Sequence, residues 1–70
     1  MRAFYSTQDH LRTFILGTPE GWEIIVYDLH RHEWIEKNGL KEDTLKRAKV
    51  TAQEKTASLL GSEIVEMKWH

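Results

Sequence analysis

The longest apolar segment of the chain, "GWEIIVYDL", predicts a central β-strand. Its alternate positions are apolar on both faces, and the two sets are Trp22, Ile24 and Val26 on one face and Ile25, Tyr27 and Leu29 on the other. Such a strand is typically covered on both sides, because neither face favours contact with water. We therefore expect it at the centre of a sheet.

The segment "GTPEGW" before this strand predicts a tight turn. Residues 18–21 are Thr-Pro-Glu-Gly, in which proline supplies the φ that a β-turn needs and glycine ends the turn. The β-prone run "RTFIL" precedes the turn, so the two runs predict a hairpin. The segment "EWIEK" at 33–37 predicts a third strand, which Asn38 and Gly39 end.

The segment "RAFYST" near the start of the chain admits two interpretations. It is aromatic, so it predicts an edge strand that joins the same sheet. Alternatively, Ser6 or Thr7 caps a short helix that runs through Leu11 and Phe14. Of the two, we expect the strand.

The segment "KEDTLKRAKVTAQEKTASLLG" predicts an amphipathic helix. Small or apolar side chains recur every three or four residues along it, and this stripe consists of Leu45, Ala48, Ala52, Thr56 and Leu59. Glu42 and Asp43 place negative charge at the predicted start, where the helix dipole favours it, and Gly61 provides a C-terminal cap. A helix of about 18 residues is about 27 Å long, enough to cross a small sheet. Its central alanines predict close packing on that sheet.

The tail "SEIVEMKWH" alternates and predicts a final strand with one wet face. Val65, Met67 and Trp69 point one way, and the charged Glu66 and Lys68 point the other. The elements then follow the order β-β-β-α-β. We expect one small α+β domain over residues 1–70, with an antiparallel three- to four-stranded sheet and one helix packed on one face.

Composition argues against several classes of function. The 70 residues include no cysteine and carry a net charge of −1, with acids and bases interspersed. Duplex-DNA binders usually carry a basic excess, and the densest basic stretch, residues 41–49, is diluted by Glu42 and Asp43. No apolar run is long enough to span a bilayer, and "AFYST" is too short and polar for a signal-peptide core. We expect a cytoplasmic protein without membrane contact.

The segment "DLHRHEW" at 28–34 concentrates the polar groups that could carry chemistry. On a continuous strand, His30 and His32 would share a face and could bind one metal ion with a third ligand. The candidates for that ligand are His10, Asp28, Glu33 and His70. If the segment is instead the turn between two strands, both imidazoles are solvated. We expect the turn, because Asp28 favours turns and the apolar alternation fails there.

Catalytic motifs are weak in this sequence. Ser6, His10 and either Asp9 or Asp28 contain the residue types of a nucleophilic set, but no glycine elbow surrounds the serine. The segment "GTPEG" lacks the lysine of a phosphate-binding loop. We expect a non-enzymatic domain with no cofactor and no small-molecule substrate.

The segments "GWEIIVYD", "NGL", "KEDTLKRAKVTAQEKTASLLG" and "MKW" resemble a class of small uncharacterised bacterial domains. Those domains share a Gly-Trp-x-Ile-x-Val-Tyr-type strand, a helix with recurring alanines and a closing strand with tryptophan. The resemblance covers residues 22–69 and implies the ββαβ-type fold. It implies no activity and no catalytic residue.

The chain is also similar in outline to the three-stranded, one-helix DNA-binding domains of plant transcription factors and integrase arms. Those domains contact the groove with a basic sheet face. The corresponding segments here carry acidic residues, and these are Glu20, Glu23, Asp28, Glu33 and Glu36. We therefore do not expect nucleic acid to be the main partner.

One helix can cover one face of the predicted sheet, so the other face remains exposed. We expect that face to bind a protein partner or a second copy of the chain, with dimerisation favoured for so small a core. Its predicted partner-binding residues are Ile25, Tyr27, Leu29 and Trp34, with Ile35 as the alternative to Trp34. The alternative function is a nucleic-acid-binding module of the three-strand-plus-helix type, for which Tyr5, Tyr27 and Trp34 are candidates to stack on the bases of single-stranded nucleic acid.

Overall fold

A computed structural model of the chain describes residues 2–35 and 39–70. The elements within these ranges are, in chain order, β1 (Ala3–Gln8), β2 (Leu11–Thr18), β3 (Gly21–Asp28), β4 (Glu33–Trp34), β5 (Leu40–Glu42) and the helix α1 (Leu45–Leu60). The five strands form one antiparallel sheet, and α1 packs against it. The predicted α+β architecture is confirmed.

The first three strands form a meander with β2 in the middle. The register places Phe14 of β2 beside Tyr5 of β1 on one side and beside Ile25 of β3 on the other. β1 is therefore the edge strand that the aromatic segment predicted, and the alternative of a short helix is wrong.

Two short strands share the second edge of β3. β4 pairs with its C-terminal end, where Trp34 lies opposite Tyr27. β5 pairs with its N-terminal end, where Lys41 lies opposite Glu23. The predicted strand at 33–37 begins where expected, and residues 36–38 lie outside the described residues. The sequence did not predict β5.

The β2–β3 turn is closed by side-chain and backbone hydrogen bonds. The Thr18 hydroxyl donates to the Gly21 carbonyl at 3.1 Å, and the Glu20 amide donates to the Thr18 hydroxyl at 3.3 Å. Gly21 has φ of 137°, a backbone conformation that residues with a Cβ rarely adopt. The predicted hairpin and the glycine at its end are both confirmed.

The core lies between α1 and one face of the sheet. Its fully buried cluster comprises Ile15, Ile24, Ala48 and Ala52, and around it pack Phe4, Trp22, Leu45 and Trp69. The two alanines carry small side chains, so the helix backbone can lie close to the strands. The predicted stripe holds as far as Thr56, whereas Leu59 is 36% exposed. Ala57 is buried instead, where the chain turns back and the Ser62 amide donates to its carbonyl.

The start of α1 differs from the prediction. Thr44 is the N-cap, and its hydroxyl accepts a hydrogen bond from the Arg47 amide at 3.2 Å. Glu42 ends β5 instead of opening the helix. Its carboxylate accepts hydrogen bonds from the Thr51 hydroxyl at 2.5 Å and from Arg47 Nε at 3.5 Å. These bonds hold the pKa of Glu42 below its usual value, and the bond from Thr51 is the larger cause. Glu42 therefore ties the sheet to the side of the helix.

The end of α1 is as predicted. Gly61 has φ of 70°, and its amide donates to the Ser58 carbonyl at 3.2 Å. A left-handed residue at this position closes the last turn of the helix.

The tail after α1 alternates in burial as predicted but forms no strand over residues 62–70. It meets β1 at one point, where the Tyr5 and His70 backbones exchange two hydrogen bonds of 3.2 and 2.9 Å. Trp69 packs on the core cluster, and Gln53 Nε2 donates to the Val65 carbonyl at 2.6 Å. The tail is therefore docked at its end.

Among the described residues, no helix has both the length and the apolar character that a membrane span requires.

Candidate functional site

The face of the sheet that α1 does not cover is the candidate functional site, and we call it the outer face. Cross-strand pairing arranges its side chains in three rows. The upper row is Thr7, Arg12, Tyr27 and Trp34; the middle row is Tyr5, Phe14 and Ile25; the lower row is Ala3, Leu16, Glu23 and Lys41.

Aromatic rings on the outer face contact one another across four strands, β1 to β4. Trp34 lies edge-on to Tyr27, with ring centroids 4.9 Å apart, and is 5.7 Å from Phe14. Phe14 in turn lies 6.3 Å from Tyr5. Trp34 thus lies across the end of the face and partly covers its neighbours, within the range where aromatic pairs attract one another.

The outer face nevertheless remains in contact with solvent. Tyr5 is 41% exposed and Trp34 is 43% exposed, and Phe14, Ile25 and Tyr27 between them are half-buried. On the face beneath α1, by contrast, Leu11, Ile15, Ile24 and Val26 are almost fully buried. An apolar surface of this kind is typical of a binding site.

The outer face brings together three of the four predicted partner-binding residues. Ile25, Tyr27 and Trp34 lie on it, whereas Leu29 lies in the following turn, where its amide donates to the His10 carbonyl at 2.7 Å. The sequence grouped Tyr5 with Tyr27 and Trp34 only as a base-stacking set, and it did not identify Phe14. The signal for Phe14 is the register: once a tight turn joins β2 to β3, Phe14 must lie opposite Ile25.

Charges on the outer face are separated along the strands. Arg12 lies in the upper row, its guanidinium 5.2 Å from the Tyr5 ring centroid and its Nε donating to the Thr7 hydroxyl at 2.9 Å. Glu23 lies in the lower row beside Lys41. The upper end of the face therefore carries a cation alone, whereas the lower end carries an acidic side chain with a lysine beside it.

Residues 28–34, which concentrate the polar groups, contain a turn, as predicted. The Asp28 carboxylate accepts hydrogen bonds from the backbone amides of His30 at 2.9 Å and Arg31 at 3.0 Å. The bond from the Arg31 amide is the largest cause that lowers the pKa of Asp28, and the bond from the His30 amide lowers it further. Burial of the carboxyl acts in the opposite direction. Asp28 is only 7% exposed. It orders the turn that presents Trp34 to the outer face.

Replacing Asp28 with alanine should destabilise the protein at neutral pH, because two backbone amides lose their acceptor. The lowered pKa means that the folded protein favours the ionised carboxyl. The stabilisation is therefore present above the usual pKa near 3.8 and is lost as pH falls through the lowered value. Thermal melts at several pH values should show the difference from wild type shrinking below about pH 4.

The matched control is Asp28→Asn, which keeps the acceptor oxygen and removes the charge. Its melting temperature should lie between those of Asp28→Ala and wild type at neutral pH. A constant difference between Asp28→Ala and wild type down to strongly acidic pH would contradict the role of the ionised carboxylate.

The histidines do not form the arrangement considered from the sequence. His30 stacks on His10, with ring centroids 4.9 Å apart and planes 11° from parallel. His32 has φ of 55° and is exposed. His10 Nδ1 lies 3.5 Å from an Asp9 carboxylate oxygen. Because the His10 and His30 rings are stacked, their nitrogens lie in two nearly parallel planes. Among the described residues, no group of three or more potential ligands could hold a metal ion.

The candidate nucleophilic set is dispersed over the fold. Ser6 is 1% exposed beneath α1, and its hydroxyl has no hydrogen-bond partner among the described residues. His10 instead follows β1 and stacks on His30, and Asp28 accepts from backbone amides. The structure therefore places no base against this serine in residues 2–35 and 39–70.

Two shallow grooves lie away from the outer face. One, of about 450 Å³, is lined by Arg2, Gly17, Thr18, Pro19 and Trp22. The other, of about 260 Å³, is lined by Lys46, Arg47, Val50 and Thr51 on α1. Neither lining contains a histidine or a carboxylate.

Comparisons of the chain with protein-family models, with curated proteins and with solved structures gave no match.

Proposed function

We propose that the protein is a non-enzymatic self-association module that forms a homodimer through the outer face. The observation that carries this proposal is the aromatic cluster on the face that α1 leaves open, in which Tyr5 and Trp34 are exposed and Phe14 and Tyr27 are half-buried. Burying these rings against a second copy removes apolar area from water, which stabilises association by about 25 cal/mol per Å² before its entropic cost.

The size of the domain supports the same conclusion. Fewer than a dozen side chains are fully buried in the described residues, and the central cluster consists of two isoleucines and two alanines. Small domains with a thin core commonly gain stability by oligomerisation. We place the protein in the cytoplasm, in keeping with its lack of cysteine.

The test is the mass of the protein in solution over a range of concentrations. Wild type should shift from monomer toward dimer as concentration rises. Trp34→Glu should remain monomeric at the same concentrations, because a carboxylate would have to be buried in the interface. The matched control is Val50→Glu, since Val50 is a hydrophobic residue on α1 that is 50% exposed.

The control should leave the dimer unchanged, since α1 lies on the opposite side of the sheet. Sedimentation equilibrium measures all three proteins. Equal weakening by the two substitutions would point to a general effect of charge, and a wild type that stays monomeric throughout would refute the proposal.

Binding of single-stranded nucleic acid is the second candidate, and one observation favours it. Of the acidic residues that argued against it, Glu23 lies on the outer face, whereas Glu20 is in the β2–β3 turn and Asp28 is buried. Tyr5, with Arg12 above it, resembles the base-stacking surfaces of such proteins. Two features favour the dimer instead: the net charge of −1 and the mutual packing of the rings.

A labelled oligothymidylate discriminates the two candidates by fluorescence anisotropy. Nucleic-acid binding would be strongest at low salt, because each phosphate contact releases counterions. Binding at low salt by a monomeric wild type, lost in Trp34→Glu, would favour this second candidate over the homodimer.

A further inference from the structure

We infer that the second copy docks on the outer face about a two-fold axis that crosses the strands at the middle row, so that the upper row of each copy lies against the lower row of the other. This inference rests on the proposed self-association and adds its geometry and its specificity residues. Those residues are Arg12 in the upper row and Glu23 in the lower row.

Two orientations of a face-to-face dimer differ in how they place these charges. An axis parallel to the strands sets upper row against upper row, so the two Arg12 side chains meet at one end and the two Glu23 side chains meet at the other. An axis across the strands sets upper row against lower row. Arg12 of each copy then lies diagonally across from Glu23 of the other copy, on the adjacent strand position.

The placement of Arg12 and Glu23 at opposite ends of the face favours the axis across the strands. Like charges placed together in an interface are repulsive, whereas opposite charges fix its register. Packed sheets lie about 10 Å apart, a distance that an arginine and a glutamate reaching toward each other can span. Arg12 Nε donates a hydrogen bond to the Thr7 hydroxyl, and the other N–H groups of the guanidinium can donate to a carboxylate.

The edge of the sheet gains a second complementary contact in the same orientation. Trp34 and Lys41 occupy the same strand position at opposite ends, beside β3. The two-fold axis therefore brings Lys41 of one copy toward the indole of Trp34 in the other, a pairing that favours a cation over an aromatic ring. Lys41 Nζ lies 3.5 Å from Glu20 Oε2, and both side chains are largely exposed. Breaking this ion pair to contact the indole therefore costs little free energy.

The size of the outer face sets the strength of the dimer. Four strand positions and three rows span about 14 Å by 13 Å between backbone positions, from the spacing of strands and residues in a sheet. A stable interface buries about 800 Å² on each partner, more than a patch of this span provides. We therefore expect a reversible dimer with a dissociation constant that is micromolar or weaker.

A charge swap tests the orientation. Arg12→Glu alone or Glu23→Arg alone turns both cross-copy pairs into like-charge pairs, so each variant should self-associate about tenfold more weakly or worse than wild type. An equimolar mixture should recover wild-type affinity. In the mixed dimer the two substituted side chains face each other, and so do the unchanged Arg12 and Glu23.

The control mixture is Lys46→Glu with Glu54→Lys, since both residues are exposed on α1 and away from the outer face. Neither of these substitutions should change the dissociation constant. Circular dichroism and thermal melts establish that each variant is folded.

A crosslinking measurement tests the same geometry without altering charge. The chain has no cysteine, and Thr7 and Ala3 are exposed at opposite ends of β1. A mixture of Thr7→Cys and Ala3→Cys proteins should give a covalent dimer with a short bifunctional maleimide, in excess of that given by either protein alone.

The outcomes separate this inference from the proposed function. A wild type that dimerises leaves self-association intact but overturns the axis across the strands in any of three cases: the single variants self-associate as tightly as wild type, their mixture is no stronger than its components, or the mixed crosslink shows no excess. A wild type that is monomeric at every concentration removes both.

Discussion

Gly21→Ala should destabilise the protein by about 3 kcal/mol or more. A Cβ at this position would lie 2.6 Å from the Glu42 carbonyl oxygen, a contact with rigid backbone, and φ of 137° is already unfavourable for alanine. The substitution therefore strains the turn and drives β5 away from β3. For a domain of this size, about 1 kcal/mol corresponds to a shift of about 4–8 °C in melting temperature, so a fall of more than about 12 °C is expected in a thermal melt.

The control for this prediction is Gly61→Ala. Gly61 also has positive φ, at 70°, but an added Cβ would meet no atom within 4 Å. Its cost should be limited to the left-handed conformation, about 1 kcal/mol. Equal melting temperatures for the two variants would show that the contact with Glu42 carries no weight.

Thr13→Val and Thr56→Val should each cost about 1–3 kcal/mol, because each leaves one buried hydroxyl without its partner. The two Oγ1 atoms lie 2.8 Å apart, and both residues are fully buried between β2 and α1. Valine keeps the shape of threonine, so packing changes little. The double variant should cost no more than the worse single variant. Urea unfolding of the four proteins measures the coupling, expected to be at least about 1 kcal/mol.

Ser6→Ala provides the contrasting case in the same layer of the core. Ser6 lies opposite Thr13 in the register, and its buried hydroxyl has no partner among the described residues. Removing it should leave stability unchanged or raise it, since no hydrogen bond is lost. Strictly additive threonine substitutions, or a Ser6→Ala protein as unstable as Thr13→Val, would contradict this account of the buried hydroxyls.

Elements with local signals could be predicted from the sequence. Thr-Pro-Glu-Gly determines the β2–β3 turn through backbone preferences within four residues, and Gly61 caps α1 for the same reason. The central strand was identifiable because both of its faces are apolar. These features do not depend on contacts with distant parts of the chain.

Elements that depend on distant partners could not be predicted. β5 is three residues long and has no apolar alternation; it is a strand because the open edge of β3 lies beside it. The charge of Glu42 predicts a helix start, but Glu42 ends β5, and the N-cap is Thr44, which the sequence prediction did not name. The alternation in the tail predicted which of its side chains face inward, but it did not predict that the tail contacts β1.

The residues of the outer face likewise divide into those with local sequence signals and those that depend on distant strands. Tyr27 and Trp34 were identifiable from alternation and from the turn at Asp28. Phe14 and Tyr5 required the registers of two strand pairs, and the stacking of His10 on His30 required knowing that two turns lie at one end of the sheet. The separation of Arg12 from Glu23 likewise appears only once β2 and β3 are aligned.

The contact between Tyr5 and His70 has a consequence for the order of folding. The turns that join β1 to β2 and β2 to β3 bring together residues close in sequence, whereas this contact closes a loop over nearly the whole chain. Loop-closure entropy makes such a contact late to form and early to open. The tail can therefore detach while the hairpins persist, and each detachment exposes the Tyr5 amide and carbonyl on the edge of β1 to solvent.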